Sequence, residues 1–294
     1  MTFSQWLFGD IDNPFKAGQW GALHILVMLL CAALILLFHF ASKCAKNPEK
    51  TRRIIISTLM SISVLFEIML RFTRGMNHFY FWQMEVNVTS VLELALPKPW
   101  CQISTWLLIS AVFVKKPFFY NFASLSALLS AIVFFSYPGV GFNNEYLLFE
   151  NWYSICTHAL LLTTSITMIC FKYADFRYRW FGKLMLCFGL TFVYGLLQIF
   201  VLKIHVDPMY FMPNGDIQAG ILKMDYGLYL FLYFAVLLIY INVPHLLGDR
   251  ETVRRFMQGI KGKLLMLAHK NGGETYEEAA SVEQGKTTED LHCS

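Results

Sequence analysis

The chain has 294 residues, of which 56% are hydrophobic and only 15% are charged, and its formal net charge is +4. Soluble domains carry about 25% charged residues, so this composition excludes an ordinary soluble protein and indicates a multi-pass membrane protein. The net charge is too small to suggest nucleic acid as a partner, so we expect none. The seven cysteines are scattered singly, which favours neither a disulfide framework nor a metal site. The sequence therefore predicts no metal and no cofactor.

Seven apolar stretches are long enough, at roughly 20 residues, to cross a bilayer as helices. The first 16 residues lack the basic region and cleavage site of a signal peptide, so we expect the first span to be retained. The predicted spans are 19–41, 53–73, 98–114, 118–137, 152–171, 182–203 and 226–247. The predicted fold is all-α, a bundle of seven transmembrane helices over residues 1–248.

The orientation follows from Lys and Arg, which concentrate in cytoplasmic loops. Sixteen of them lie in the 1–2, 3–4 and 5–6 loops and after span 7, and six lie on the other side. The N-terminus is therefore predicted outside and the C-terminus in the cytoplasm, in the cell membrane. Residues 249–269 mix basic and apolar positions, which is typical of an amphipathic segment on the inner leaflet. Residues 270–294 are polar and acidic, and we expect them to be disordered.

Ionisable and polar side chains inside spans are costly and mark functional hypotheses. With the predicted orientation, the rise of about 1.5 Å per residue converts sequence position into depth. Five polar or reactive groups from five spans then share the outer third of the membrane. They are His24 in span 1, Glu67 in span 2, Cys101 in span 3, His158 in span 5 and Gln198 in span 6.

Each of these residues also has a structural interpretation. A single cysteine in a span is usually inert packing, and a single histidine usually bonds a neighbouring helix. Glu67 is one turn from Arg71, which predicts an ion pair on one helix face.

Cys101 and His158 nevertheless suggest a specific chemistry. A histidine near a cysteine can take its proton, and the resulting thiolate attacks an ester carbonyl. At this depth the natural carbonyls are those of membrane phospholipids.

The stretch "LPKPWC", Leu96 to Cys101, resembles an L-P-x-x-x-C signature that begins the third span of the YwaF-like bacterial integral membrane proteins. His24, Glu67, the run from Phe118 to Pro138 and His158 are similar in the same order, over about residues 15–245. That family is related to the eukaryotic transmembrane protein 164 acyltransferases, which are regarded as moving acyl chains between phospholipids. The resemblance implies Cys101 as the nucleophile, His158 as its base and phospholipids as the substrates.

Other interpretations stay open. A proton-coupled transporter could use Glu67 and His24, although the chain shows no inverted repeat. A retinal-type sensor would need a lysine in span 7, and residues 226–247 contain none. A non-enzymatic membrane protein whose polar layer only joins helices is the remaining alternative.

Overall fold

The computed structural model describes residues 21–76, 86–136, 142, 148–204, 207, 209–213, 222–252, 254 and 258. All regular structure within these ranges is helical and none of it is strand, which confirms the all-α class for this part of the chain. The α-helices of these ranges are α1 (Ala22–Cys44), α2 (Pro48–Gly75), α3 (Val88–Ala95), α4 (Trp100–Val114), α5 (Pro117–Ser136), α6 (Phe149–Cys170), α7 (Phe181–Leu197) and α8 (Tyr226–Gly248).

Six helical segments in the described ranges are long and apolar enough to span a bilayer. They are α1, α2, α5, α6, α8 and the continuous segment Tyr178–Leu202, which contains α7 between a 3-10 turn and the π-helical turn Gln198–Leu202. The chain is thus a multi-pass membrane protein. Helix α4 coincides with the predicted third span but has only 15 residues, or about 22 Å of length. A seventh crossing and the orientation of the termini stay predictions.

Helix breaks follow local sequence signals. The side chain of Asn47 caps α2 by accepting from the backbone N–H of Lys50 at 3.1 Å, and Pro48 occupies the first helical position. Helix α4 ends at Lys115, whose left-handed φ of 52° lets its N–H bond the carbonyl of Ala111 at 3.0 Å. These turns let each long helix return beside the previous one.

Helix α5 lies at the centre of the first of two compact units, Met1–Asn242, and packs against α4, α6 and α7. In its most apolar stretch 61% of the residues are buried, against 17% in α1 and in α8. Its buried positions include Ala123, Ser124, Ala127 and Ala131, and small residues let neighbouring helices approach closely. Helices α1 and α8 instead expose many large apolar side chains, as lipid-facing helices do.

The second unit, Val243–Ser294, is described only at residues 243–252, 254 and 258. It holds the end of α8, after which Asp249 accepts a hydrogen bond from the backbone N–H of Thr252 at 3.2 Å. Most of the predicted amphipathic segment 249–269 and all of the predicted tail 270–294 lie outside the described residues, as does the Tyr-Pro end of the span-4 run.

Candidate functional site

Glu67, near the end of α2, is the most heavily bonded of the five predicted residues. Its side chain is buried, with 1% of the residue exposed. Oε1 accepts a hydrogen bond from the hydroxyl of Tyr153 on α6 at 2.7 Å, and Oε2 accepts one from Nε1 of Trp106 on α4 at 3.1 Å. Oε2 is also paired with Nη1 of Arg71, which confirms the predicted ion pair. One carboxylate therefore joins three helices.

Arg71 extends this network toward the LPKPWC stretch. Its Nε and Nη2 both donate to the carbonyl of Ala95, the last residue of α3, at 3.4 Å. Its guanidinium also lies over the ring of Trp106, with Cζ 5.3 Å from the centroid. The guanidinium of Arg71 thus contacts a carboxylate, an aromatic ring and a carbonyl. Together these contacts offset the free-energy cost of partly burying its charge.

Gln198 fixes the same stretch from the other side. It begins the π-helical turn after α7, and its Nε2 donates to the carbonyl of Pro97 at 2.7 Å. The hydroxyl of Tyr194, one turn earlier, donates to the same carbonyl at 3.1 Å. The segment 95–97 is thus held between Arg71 of α2 and the end of the helix that contains α7, just before α4 begins. The Oε1 atom of Gln198 is buried and has no hydrogen-bond partner among the described residues.

Cys101 lies in the first turn of α4, immediately after the N-cap Pro99 and Trp100. Its thiol is free and partly exposed. Burial opposes a negative charge on the sulfur, as does the carboxylate of Glu67, whereas the backbone N–H of Gln102 and the charge of Arg74 favour one. Unpaired backbone N–H groups at a helix N-terminus favour a negative charge, so this position suits a thiolate better than the middle of a helix would.

His158 lies on α6, with 7% of its surface exposed. Its Nδ1 is 2.7 Å from the carbonyl of Ser154, which can only accept, so Nδ1 carries the proton and Nε2 the lone pair. The ring stacks on Phe134 of α5 at 3.8 Å. The backbone thus holds the imidazole in the tautomer that a general base requires.

The Cys101 thiol and the His158 imidazole make no hydrogen bond with each other in the described structure. Tyr153 and His158 are five residues apart, about 140° around α6, so the imidazole lies on a different face from the Glu67 network. The charge of Glu67 acts on Cys101, whereas the His158 ring contacts Ser154 and Phe134.

A group of aromatic rings at the C-terminal end of α5 and just after it connects His24 with His158. It is buried on α1 and contacts Phe135 and Phe142, with ring centroids 5.8 and 4.9 Å away. Phe134, which stacks on His158, is in turn 5.3 Å from Phe135. The five predicted residues therefore form two groups. Glu67, through Arg71, and Gln198 are bonded to the segment that leads into Cys101, and the two histidines pack on the aromatic rings.

Sequence reasoning missed Tyr153, Trp106 and Tyr194, whose polar atoms complete these groups. Within the described ranges, no three His, Cys, Asp or Glu side chains converge in an arrangement that could hold a metal ion. Comparison with known proteins finds no matching protein-family model, no matching curated protein and no matching solved structure.

Proposed function

We propose that this protein is a multi-pass enzyme of the cell membrane that transfers or hydrolyses phospholipid acyl chains, with Cys101 as nucleophile and His158 as base. The observation that carries the proposal is the position of Cys101, a free and partly exposed thiol in the first turn of a largely buried helix. Helix N-termini lower the cost of a thiolate, and the thiolate is the reactive form of cysteine.

The reaction proceeds in two balanced steps. Nε2 of His158 accepts the proton of Sγ, and the thiolate attacks the ester carbonyl of a phospholipid. The carbon–oxygen bond breaks, the glycerol oxygen leaves with the proton from the imidazolium, and a thioester remains on Cys101. A second alcohol, or water, then gives its proton to His158 and attacks the thioester. The carbon–sulfur bond breaks, the acyl chain passes to the attacking oxygen, and the imidazolium returns its proton to Sγ, which restores the thiol.

Proton transfer requires hydrogen-bond reach between Nε2 and Sγ, or one bridging water. Because Nδ1 is bonded to Ser154 and Nε2 makes no bond among the described residues, the base lone pair is available for either route. The proposal therefore requires that substrate entry brings the ring or a water to the sulfur.

The Glu67 network has a positioning role in this account. Its three hydrogen-bonded helices include α4, which carries Cys101, and α6, which carries His158. The bonds to the carbonyls of Ala95 and Pro97 hold the segment that leads into Cys101. Fixing both helices keeps the thiol and the imidazole at one depth.

One observation favours the non-enzymatic alternative, a membrane protein with a structural polar layer. Both oxygens of Glu67 are already bonded, to a phenol, an indole and a guanidinium, as in a network that only stabilises packing. The transporter alternative needs a carboxylate that exchanges a proton with a transport pathway, whereas both oxygens of Glu67 are already bonded within the bundle.

The test uses purified protein in vesicles containing a phospholipid with one labelled acyl chain and an unlabelled lysophospholipid acceptor. Movement of label to the acceptor, or its release as free acid, is expected for the wild type. Cys101→Ala should abolish it, and Cys187→Ala, a half-buried cysteine in the middle of α7, should leave it unchanged. Equal turnover in wild type and Cys101→Ala would exclude the proposed nucleophile.

A further inference from the structure

The opposite end of the bundle, where the basic loops lie, carries a second polar group. Helix α6 ends there with Lys172 in the left-handed conformation, at φ 62°. The N–H of Phe171 bonds the carbonyl of Thr167 at 2.9 Å, and the N–H of Tyr173 bonds that of Met168 at 3.0 Å. This tight helix end turns the chain back, with Phe171 buried and Tyr173 partly buried.

Arg52, in the second turn of α2, contacts this helix end. Its guanidinium carbon lies 5.6 Å from the centroid of the Phe171 ring. Its Nε is buried and has no hydrogen-bond partner among the described residues. The neighbouring Arg53 differs, because its Nε donates to Glu49 at 3.1 Å and its side chain is 72% exposed.

Tyr173 supplies a second donor at the same end of α6. Its ring packs against Tyr120 of α5, with centroids 5.6 Å apart, and the charges of Arg53 and Arg52 both act on it. The hydroxyl oxygen is buried and has no partner among the described residues. Burial, followed by the charge of Glu49, raises the pKa of Tyr173, so its hydroxyl remains a proton donor at neutral pH.

Two unsatisfied donors at the same end of α6, one over Phe171 and one on Tyr173, point to a ligand that accepts hydrogen bonds. A buried donor without a partner costs about 1–3 kcal/mol, so native structures rarely keep two together unless something binds them. The nearby carboxylates do not accept hydrogen bonds from these two donors. Glu49 is paired with Arg53, and Asp175 is paired with Arg177 and Arg179 at 3.0 and 3.1 Å. A guanidinium matches the oxygens of a phosphate group.

We propose that Arg52 and Tyr173 bind a phosphate group above Phe171, at the end of the bundle predicted to face the cytoplasm. Phospholipid head groups lie at this depth, and basic pockets between membrane helices bind them. A free phosphate offers the same oxygens. The site is separate from the Glu67 network, because Arg52 and Glu67 lie fifteen residues apart on α2, or about 22 Å.

The experiment titrates the purified full-length chain in detergent with phosphatidylglycerol and counts bound lipids by native mass spectrometry. Arg52→Gln should weaken the tightest lipid-binding event about tenfold, and Tyr173→Phe about threefold, since a charged hydrogen bond contributes more than a neutral one. Arg53→Gln is the matched control, with the same charge change one residue away, and should weaken binding less than about twofold.

The two phosphate sources are distinguished by adding inorganic phosphate. If millimolar phosphate displaces the lipid from the wild type but not from Arg52→Gln, the site takes free phosphate; if lipid stays bound, it takes the head group. Equal weakening by Arg52→Gln and Arg53→Gln would overturn the proposal, because binding would then reflect overall charge. Should Arg52→Gln fail to fold, Arg52→Lys is the second variant, because it keeps the charge but lacks the paired N–H donors of a guanidinium. Its affinity for the lipid should fall about threefold. An unchanged lipid affinity would also overturn the proposed site.

Discussion

The hydroxyl of Tyr153 donates to Oε1 of Glu67 at 2.7 Å and so joins α6 to α2 across 86 residues of sequence. Trp106 of α4 donates to the other oxygen. In a membrane the apolar surroundings drive helices together only weakly, so packing and polar bonds between helices carry much of the specificity. This carboxylate therefore sets the positions of the two helices that carry Cys101 and His158.

Glu67→Gln should lower the free energy of unfolding by about 2 kcal/mol or more, because it leaves the partly buried guanidinium of Arg71 without its counter-charge. The same helix offers a matched control. Glu49 and Arg53 have the same i, i+4 spacing, but their side chains are 53% and 72% exposed, against 2% and 21% for Glu67 and Arg71. Glu49→Gln should cost less than about 1 kcal/mol. Thermal unfolding in detergent measures both, and equal losses would contradict a special role for Glu67.

Tyr153→Phe should cost about 1 kcal/mol by removing one buried hydrogen bond. In a double-mutant cycle with Glu67→Gln, we expect the two losses to be less than additive, because both act on one bond. Tyr240→Phe is the control, since its hydroxyl donates to the carbonyl of Leu125 at 2.8 Å and shares no partner with Glu67. Simple additivity in the Tyr153 cycle would show that the bond contributes nothing.

Gln198→Leu should increase the rate at which a maleimide labels Cys101, because the carbonyl of Pro97 loses its 2.7 Å donor and the start of α4 loosens. An increase of several-fold is expected, and Tyr194→Phe should add to it. Labelling of Cys187 in the same sample, followed by peptide mass spectrometry, is the internal control. If Cys187 reactivity rises equally, the substitution has loosened the whole bundle.

His158→Gln should slow acyl transfer about a hundredfold, which is the usual loss for a general base. His24→Gln provides the comparison, because the two histidines pack on neighbouring rings of α5, His24 on Phe135 and His158 on Phe134. We expect His24→Gln to lower thermal stability while turnover falls less than about threefold. Parallel losses of turnover in the two variants would assign His158 a packing role only.

Several features of the fold follow from local sequence signals. Helix positions follow from runs of apolar residues, and the predicted third span at 98–114 differs by two residues from α4, since Pro97 and Pro99 delay the helix to Trp100. The Glu67–Arg71 pair also follows, because residues four apart share a helix face.

The site was predicted only in part, for a geometric reason. Counting residues along a span gives depth, which placed five residues in one layer. It does not give the rotation of each helix or the identity of its neighbours. The indole of Trp106 and the phenol of Tyr153 lie 39 and 86 residues from Glu67, and no local pattern marks them as its partners.

The most direct test of the proposed chemistry is to detect the thioester on Cys101. Purified protein is incubated with a phospholipid of defined acyl chain, quenched in acid and digested, and the peptide containing Cys101 is analysed by mass spectrometry. We expect a mass increase of one acyl chain on Cys101, released by hydroxylamine and absent from Cys187. Label transfer in the vesicle assay without any acyl group on Cys101, or a thiol that stays unmodified in the presence of every phospholipid supplied, would contradict it.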